Sequence, residues 1–322
     1  MYTLAIDIGG TKIAYALIEH KVNNPNFIFS YKIDTPKGIP NLANCFSEIF
    51  QKTLAKAKKL SYEVSSIIAI GSPGHFIGSE KNIIAPGSAH NLEAFPGEFD
   101  NLNLALLLKK ILPKNFDIVI NNDAIAQLVG GTDFILANEY ILILGSKIGY
   151  IGVGTGLGGG FAKVSKTGEI SIRTDGHISD IKIKDNTGQA KRAEDLLSGK
   201  AFFELTSKTL KEINSSSALL NKYRLVLKEM GLTLAKIAIK IYQGEISKIK
   251  PENNWLKKDI AFVKGIKIFF IGGSATTKGR SSKIIIATAE QYLLDKGFSD
   301  IKLIRIKNIR KAALWGAAKL AL

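Results

Sequence analysis

Apolar residues in this chain recur with two periods, and the two periods alternate along it. Residues 2–8, 12–19 and 27–33 read as strands, the third after an Asn23-Asn24-Pro25-Asn26 turn. Residues 41–60 change to helical spacing, with Leu42, Phe46, Ile49, Phe50 and Leu54 on one face. A buried strand at 64–70, a helix at 101–112 and a strand at 116–121 complete the first half. The second half repeats the order. Strands are predicted at 141–144, 150–153, 161–164 and 168–172, helices at 192–213 and 217–242, and a strand at 266–271. A helix at 282–295, a strand at 301–306 and an Ala- and Leu-rich helix at 311–322 close the chain. The stretch Tyr242–Lys264 is polar and rich in lysine and reads as a surface loop. The pattern predicts two α/β domains flanking a cleft, with ligand-binding strand ends turned toward it.

A length of 322 residues with 46% hydrophobic residues allows two ordinary domains with real cores. The formal charge of +16 is spread over many helices and loops. No basic stripe is interleaved with aromatics, so a nucleic-acid surface is not expected. The single cysteine, Cys45, excludes a disulfide framework or a cysteine zinc cluster within one chain. Met1 leads directly into a strand and no segment reads as a leader or a membrane span, so a cytoplasmic protein without membrane partners is expected.

Two glycine-rich turns carry the chemistry. The first follows the first strand: Asp7, Ile8, Gly9, Gly10, Thr11, Lys12. The second runs from Gly154, Thr155 and Gly156 to Gly160. Glycines let backbone N–H groups converge on an anion without a Cβ in the way. Lys12 can meet phosphate or lie on the exposed face of the hairpin. The second turn formally matches G-x-G-x-x-G, but strands follow it where a dinucleotide site needs a helix. No P-loop motif is present. Asp7 stands inside an apolar strand, where an unpartnered carboxylate is costly. It either caps the turn or holds Mg²⁺ through water. Asn121-Asn122-Asp123 ends another apolar strand. Asp123 is a candidate general base for a substrate hydroxyl, and Asn122 can hold sugar hydroxyls; both can also cap the helix that follows. Among the histidines, His20 is expected to be exposed. Glu194 reads as a favourable acid in the first turn of a helix.

Taken together, these motifs resemble the ROK and bacterial glucokinase group of sugar kinases, in the actin-like ATPase superfamily. Both glycine turns look like that group's phosphate motifs. Ile271-Gly272-Gly273-Ser274-Ala275 resembles its adenosine motif, and Ala312 to Ala318 its closing helix, over nearly the whole chain. The resemblance implies two actin-like (ribonuclease H-like) α/β domains: residues 1–120 completed by 309–322, and residues 121–308. It also implies ATP and Mg²⁺ as cofactors and a homodimer. It makes Asp123 the base, with Asn91, Asn122, His177 and Glu194 as sugar contacts. Gly272 and Gly273 would join the two turns in binding the nucleotide.

Three departures from the group's pattern stand out, and the first bears on the substrate. Thr174 stands three residues before His177, where the group has a glutamate, so the hexose is open: glucose, an N-acylhexosamine such as N-acetylmannosamine, or fructose. The group's cysteine zinc cluster is absent. No helix-turn-helix precedes the first strand, which argues against the group's DNA-binding repressors. A sugar-sensing regulator without catalysis is the alternative from another class.

Overall fold

The computed structural model describes residues 2–20, 25–77, 82–89, 97–138, 143–174, 178–246 and 257–322. It divides into two compact units, Met1–Glu139 with Arg310–Leu322, and Tyr140–Ile309. The first of these units runs to residue 139, where the sequence reading divides the chain after residue 120. The helix that follows the strand ending at Asn122 packs on the first sheet, and that packing assigns it to the first unit.

In the first unit, β1 (Tyr2–Ile8), β2 (Lys12–Glu19) and β3 (Asn26–Asp34) form an antiparallel meander. Helix α1 (Ile39–Lys59), β4 (Val64–Ser72), the short β5 (Phe76–Ile77) and β6 (Ile83–Ile84), α2 (Leu104–Lys109), β7 (Asp117–Asn122) and α3 (Asp123–Asn138) follow. The sheet order is β3-β2-β1-β4-β7, with β4 and β7 parallel to β1. Alternation along β1 sends Leu4, Ile6 and Ile8 to the core under α1 and α2, and Ala5 to the opposite face. Helix α1 buries Leu42, Phe46, Ile49, Phe50 and Ala57 on one stripe. Lys56, Lys58 and Lys59 in its last turn complement its dipole.

The second unit holds β8 (Lys147–Val153), β9 (Leu157–Val164), β10 (Ile170–Thr174), the small hairpin β11 (Lys182–Lys184) and β12 (Ala190–Arg192), and helices α4 (Gly199–Thr206), α5 (Leu210–Ser215), α6 (Ser217–Lys222), α7 (Arg224–Gln243) and α8 (Lys257–Val263). β13 (Ile268–Gly272), the one-turn α9 (Ser274–Thr277), α10 (Gly279–Asp295) and β14 (Lys302–Arg305) complete it. Its sheet order, β10-β9-β8-β13-β14, repeats the first unit strand for strand, with the same two antiparallel and two parallel pairings. The repetition read from the sequence pattern is thus a repetition of topology.

The last helix, α11 (Ile309–Leu320), packs with the first unit. Its residues Leu314, Trp315 and Ala318 lie on Ala5, Ala14 and Ala16 of β1 and β2. It crosses α3 where glycines face each other. A Cβ on Gly316 would fall 1.8 Å from the Ala126 carbonyl oxygen, and one on Gly130 would fall 1.9 Å from that of Ala312. Trp315 Nε1 donates to Asp133 at 2.7 Å, and Lys319 pairs with the same carboxylate.

Several sequence expectations change. The helix expected over 192–213 is broken: Ser198 and Thr209 cap new helices, and Ser207 turns left-handed at φ 53°. Residues 143–145 form a turn, and β8 begins only at Lys147. Within the stretch read as a loop, α8 is helical and packs Val263, Ile260 and Phe262 on the core, so Lys257 and Lys258 open a helix. His20 is half-buried against Trp315 and hydrogen-bonds Thr3 at 2.8 Å. Among the described residues no helix is long and apolar enough to cross a membrane.

Candidate active site

One row crosses all five strands of the first sheet near the exit of β1. Lys32 on β3 pairs with Ala14 on β2, which pairs with Asp7 on β1. Asp7 in turn pairs with Gly71 on β4, and Gly71 with Asn121 on β7. Side chains of paired residues share a face, here the face that α11 covers nearer the sheet centre. Two residues past Asn121 the chain enters α3 with Asp123. The parallel register of β1, β4 and β7 therefore brings Asp7 and Asp123 together although 116 positions separate them. Gly71 is the backbone between them. A Cβ there would lie 3.6 Å from Asp7 Oδ1 and 3.7 Å from the Asp123 Cα.

Both carboxylates are raised in pKa, and the charge of Asp123 is felt at Asp7. Asp7 has its pKa pushed up to about 7, chiefly by burial, then by the negative charge of Asp123, with Lys32 pulling the other way. Burial lifts Asp123 to about 6, against the lowering effect of N–H groups from Ala124 and from its own backbone. The Ala124 N–H donates to Asp123 Oδ1 at 2.9 Å and fixes that carboxylate's direction.

Asn122 is occupied by the strand–helix corner. Its Oδ1 accepts from Ala124 and Ile125 N–H at 2.9 and 3.3 Å, and its Nδ2 donates to the Gly74 carbonyl at 2.8 Å. It caps α3 and latches the loop after β4. Asn121 Nδ2 is buried without a hydrogen-bond partner among the described residues.

The first glycine turn is tied to the end of β3. Gly9 N–H donates to the Lys12 carbonyl at 2.9 Å, and a Cβ on Gly9 would meet that oxygen at the same distance. Thr35 holds the turn twice: its hydroxyl donates to the Gly9 carbonyl at 2.8 Å, and its N–H to the Thr11 carbonyl at 3.1 Å. Lys12 lies on the hairpin face and pairs with Asp34 directly across from it.

The second unit carries the other turn. Gly154 N–H donates to the Gly156 carbonyl at 2.9 Å. The start of α4 then clasps the turn, as Gly199 and Lys200 N–H donate to the Gly154 and Thr155 carbonyls at 2.8 and 3.1 Å. Glu194 is buried at 8% exposure and lies in a turn ahead of the Ser198 cap, not in the first turn of a helix. Its Oε1 accepts from Leu157 N–H at 3.0 Å, and its Oε2 from Arg192, which also reaches Asp180 at 2.9 Å. At the end of β13, Gly272 pairs with Gly152 and Gly273 takes φ 84°. A Cβ on Gly273 would lie 2.2 Å from the Val153 carbonyl, so the adenosine-type motif and the second turn abut.

Asn91 and His177 lie outside the described residues. Thr174 pairs through its backbone with Phe161. Sequence reasoning missed Lys32, Thr35, Gly71 and the Asp180–Arg192 link. Each acts across strands or loops, and none stands in a motif.

A model of the ROK family matches residues 3–322. By structure the chain is similar to a ROK family glucokinase from Streptomyces griseus, solved in complex with glucose and AMPPNP, at 18% identity and TM-score 0.67, covering 100% of this chain and 99% of that one. It is similar to a ROK hexokinase from Thermus thermophilus at 17% identity and TM-score 0.63, covering 100% and 98%. It is also similar to a ROK family transcriptional regulator, a homologue of the Escherichia coli MLC protein, at 15% identity and TM-score 0.62, covering 99% and 80%. These likenesses establish a shared actin-like fold. No curated protein matches the sequence significantly.

Proposed function

The chain belongs to the ROK family, and from that premise we propose that it transfers the terminal phosphate of ATP to a hydroxyl of a hexose. The observation that carries this reading is the carboxylate pair at one sheet end, with Asp123 at a pKa of about 6 beside Asp7. A base with a pKa near neutrality is ionised at working pH and still takes up a proton readily. Asp123 accepts the proton of the sugar hydroxyl as its oxygen attacks the γ-phosphorus. The new O–P bond forms, the bond to the bridging oxygen breaks, and ADP leaves with that oxygen. The Ala124 N–H holds the carboxylate toward its task.

Gly9, Gly10 and Thr11 would meet phosphate, in a turn that Thr35 stiffens. By the family resemblance, Gly154, Thr155 and Gly156 would also meet phosphate, and Gly272 and Gly273 the adenosine. Asn91, His177 and Glu194 contact the sugar, and Asn122 shapes its site through the Gly74 latch. Asp7 suits Mg²⁺ held through water: it offers hard oxygen donors, and the neighbouring Asp123 leaves negative charge that a dication offsets. Bound there with ATP, the ion would neutralise charge on the phosphates.

The test is ADP release from Mg²⁺-ATP across hexoses and N-acetylhexosamines, with Asp123→Asn as the control. Turnover with one sugar, reduced about 10²- to 10⁴-fold in the variant, is the expected result. Equal turnover in Asp123→Asn would remove the base assignment. The second reading, a sugar-binding regulator without catalysis, has two supports: Thr174 in place of the group's glutamate, and the fold shared with a ROK regulator. Sugar binding with no turnover on any sugar would favour it.

A further inference from the structure

One short segment, residues 192–200, grips the second glycine turn at both ends. At the entry, Gly199 and Lys200 at the start of α4 donate their N–H groups to the Gly154 and Thr155 carbonyls at 2.8 and 3.1 Å. A Cβ on Gly199 would lie 2.9 Å from the Gly154 oxygen, so glycine permits that approach. These peptides are trans, and each N–H points opposite to the C=O of its own unit. Drawing the two carbonyls toward α4 therefore turns the N–H groups of Thr155 and Gly156 the other way, as a pair suited to an anion. At the exit, Glu194 Oε1 accepts from Leu157 N–H at 3.0 Å.

Glu194 is buried, and a buried carboxylate stays charged only when it is paired. Its pairing partner is Arg192. The Arg192 Nη2 donates to Glu194 Oε2 at 3.0 Å, and its Nε donates to Asp180 Oδ1 at 2.9 Å. Two carboxylates on one planar guanidinium fix its orientation. Asp180 is also buried and ends a single 3₁₀ turn, Ile178–Asp180. That turn rests on β9, the strand into which the glycine turn leads: a Cβ on Gly159 would meet Ile178 Cδ1 at 2.7 Å. Ser179 of the same turn accepts the Glu194 N–H at 3.1 Å. Without Arg192, Glu194 has to take up a proton or swing toward solvent, and either change weakens its hold on Leu157.

We propose that Arg192 is a positioning residue for the nucleotide: acting through Glu194, it sets the second glycine turn for phosphate. This rests on the kinase reading above, in which that turn meets phosphate.

The test is equilibrium binding of ATP, ADP and AMP by calorimetry with Mg²⁺, for the wild type, Arg192→Met, Arg192→Lys, Glu194→Gln and the double variant of Arg192→Met with Glu194→Gln. Arg192→Met is expected to weaken ATP about tenfold, ADP less and AMP least. Arg192→Lys keeps the charge without the fork and should recover part of the affinity. The two single losses should not add in the double variant, because a neutral amide at 194 needs no cation. Unchanged ATP binding by Arg192→Met would overturn the proposal. An equal loss for all three nucleotides would do the same, since it marks a merely structural role, and so would losses that add. A wild-type protein that binds no ATP would instead overturn the kinase reading. Thermal melts identify a variant that fails to fold. If Arg192→Met is one, Asp180→Asn, which loosens the guanidinium but keeps it, must show the same graded loss in smaller size for the proposal to stand.

Discussion

Replacing Gly316 with alanine should reverse the usual sign of such a substitution. In an unconstrained helix interior, alanine is favoured over glycine by about 1 kcal/mol. At Gly316 the added Cβ would lie 1.8 Å from the Ala126 carbonyl oxygen and 2.8 Å from the Gly130 nitrogen. Carbon–oxygen contact needs a little over ~3 Å, so α11 and α3 must part by more than ~1 Å. Both obstacles are helix backbone, and no change of rotamer relieves them. Moving α11 also lifts Leu314, Trp315 and Ala318 from the alanines of β1 and β2, and stretches the Trp315–Asp133 hydrogen bond. Overpacking of this kind costs about 1–3 kcal/mol and occasionally more; with rigid obstacles the upper part of that range applies. After the propensity gain, a net loss of roughly 2 kcal/mol is expected. Urea unfolding followed by far-UV circular dichroism measures it, as a lower midpoint at unchanged slope. A Gly316→Ala protein as stable as the wild type, or more stable, would mean that propensity wins and that the helices do not touch at these glycines.

The carboxylate pair makes stability depend on pH in a direction opposite to that of most aspartates. Both pKa values are raised in the folded protein, to about 7 and about 6, above the ordinary 3.8. Native Asp7 and Asp123 therefore hold protons that the unfolded chain has lost. Their contribution is greatest below pH ~4 and declines as pH rises through 6 and 7. Asp7→Asn should raise the melting temperature at pH 8 by on the order of 2 °C and change little at pH 4; a pH-independent difference between variant and wild type would refute the shift. The base assignment also predicts kcat/KM rising with pH through about 6 and then levelling, read from initial rates once the sugar is known. Glu194→Ala should cost about 2 kcal/mol in urea unfolding, because it strips a buried N–H of Leu157 and one partner of Arg192; a loss below ~0.5 kcal/mol would show that the second turn does not depend on this carboxylate.

The repeated sheet order has a consequence for function. In each unit the first strand runs out into a glycine turn, and a parallel strand ends beside it. In the first unit those ends bring Asp7 and Gly71 together. In the second they bring Val153 and Gly273 together. A parallel neighbour places strand C-termini at one edge, where glycines allow close backbone approach. The chemistry is unequal: the carboxylates stand in the first unit, and the second offers backbone and the Glu194 pin.

By itself, the sequence determined which segments become strands and helices and which turns carry chemistry. Alternation in β1 to β3, the buried run of β4 and the helical stripe of α1 are local periodicities, and a folded chain has to satisfy them by burying those faces. Asp7 and Asp123 were legible because a carboxylate at the end of an apolar strand needs a reason. Breaks inside 192–213 were less legible, because serine and threonine caps compete with an apolar pattern that continues past them. Tertiary structure alone decided the partners. Whether Lys12 meets phosphate or Asp34 depends on the β2–β3 register, and a change of one residue would turn its partner to the other face. The shared row of Lys32 and Asp7, the Gly130–Gly316 crossing and the hold of Glu194 on Leu157 likewise join residues distant in the chain. Local pattern sets which face a side chain occupies, and only packing of those faces sets what it meets there.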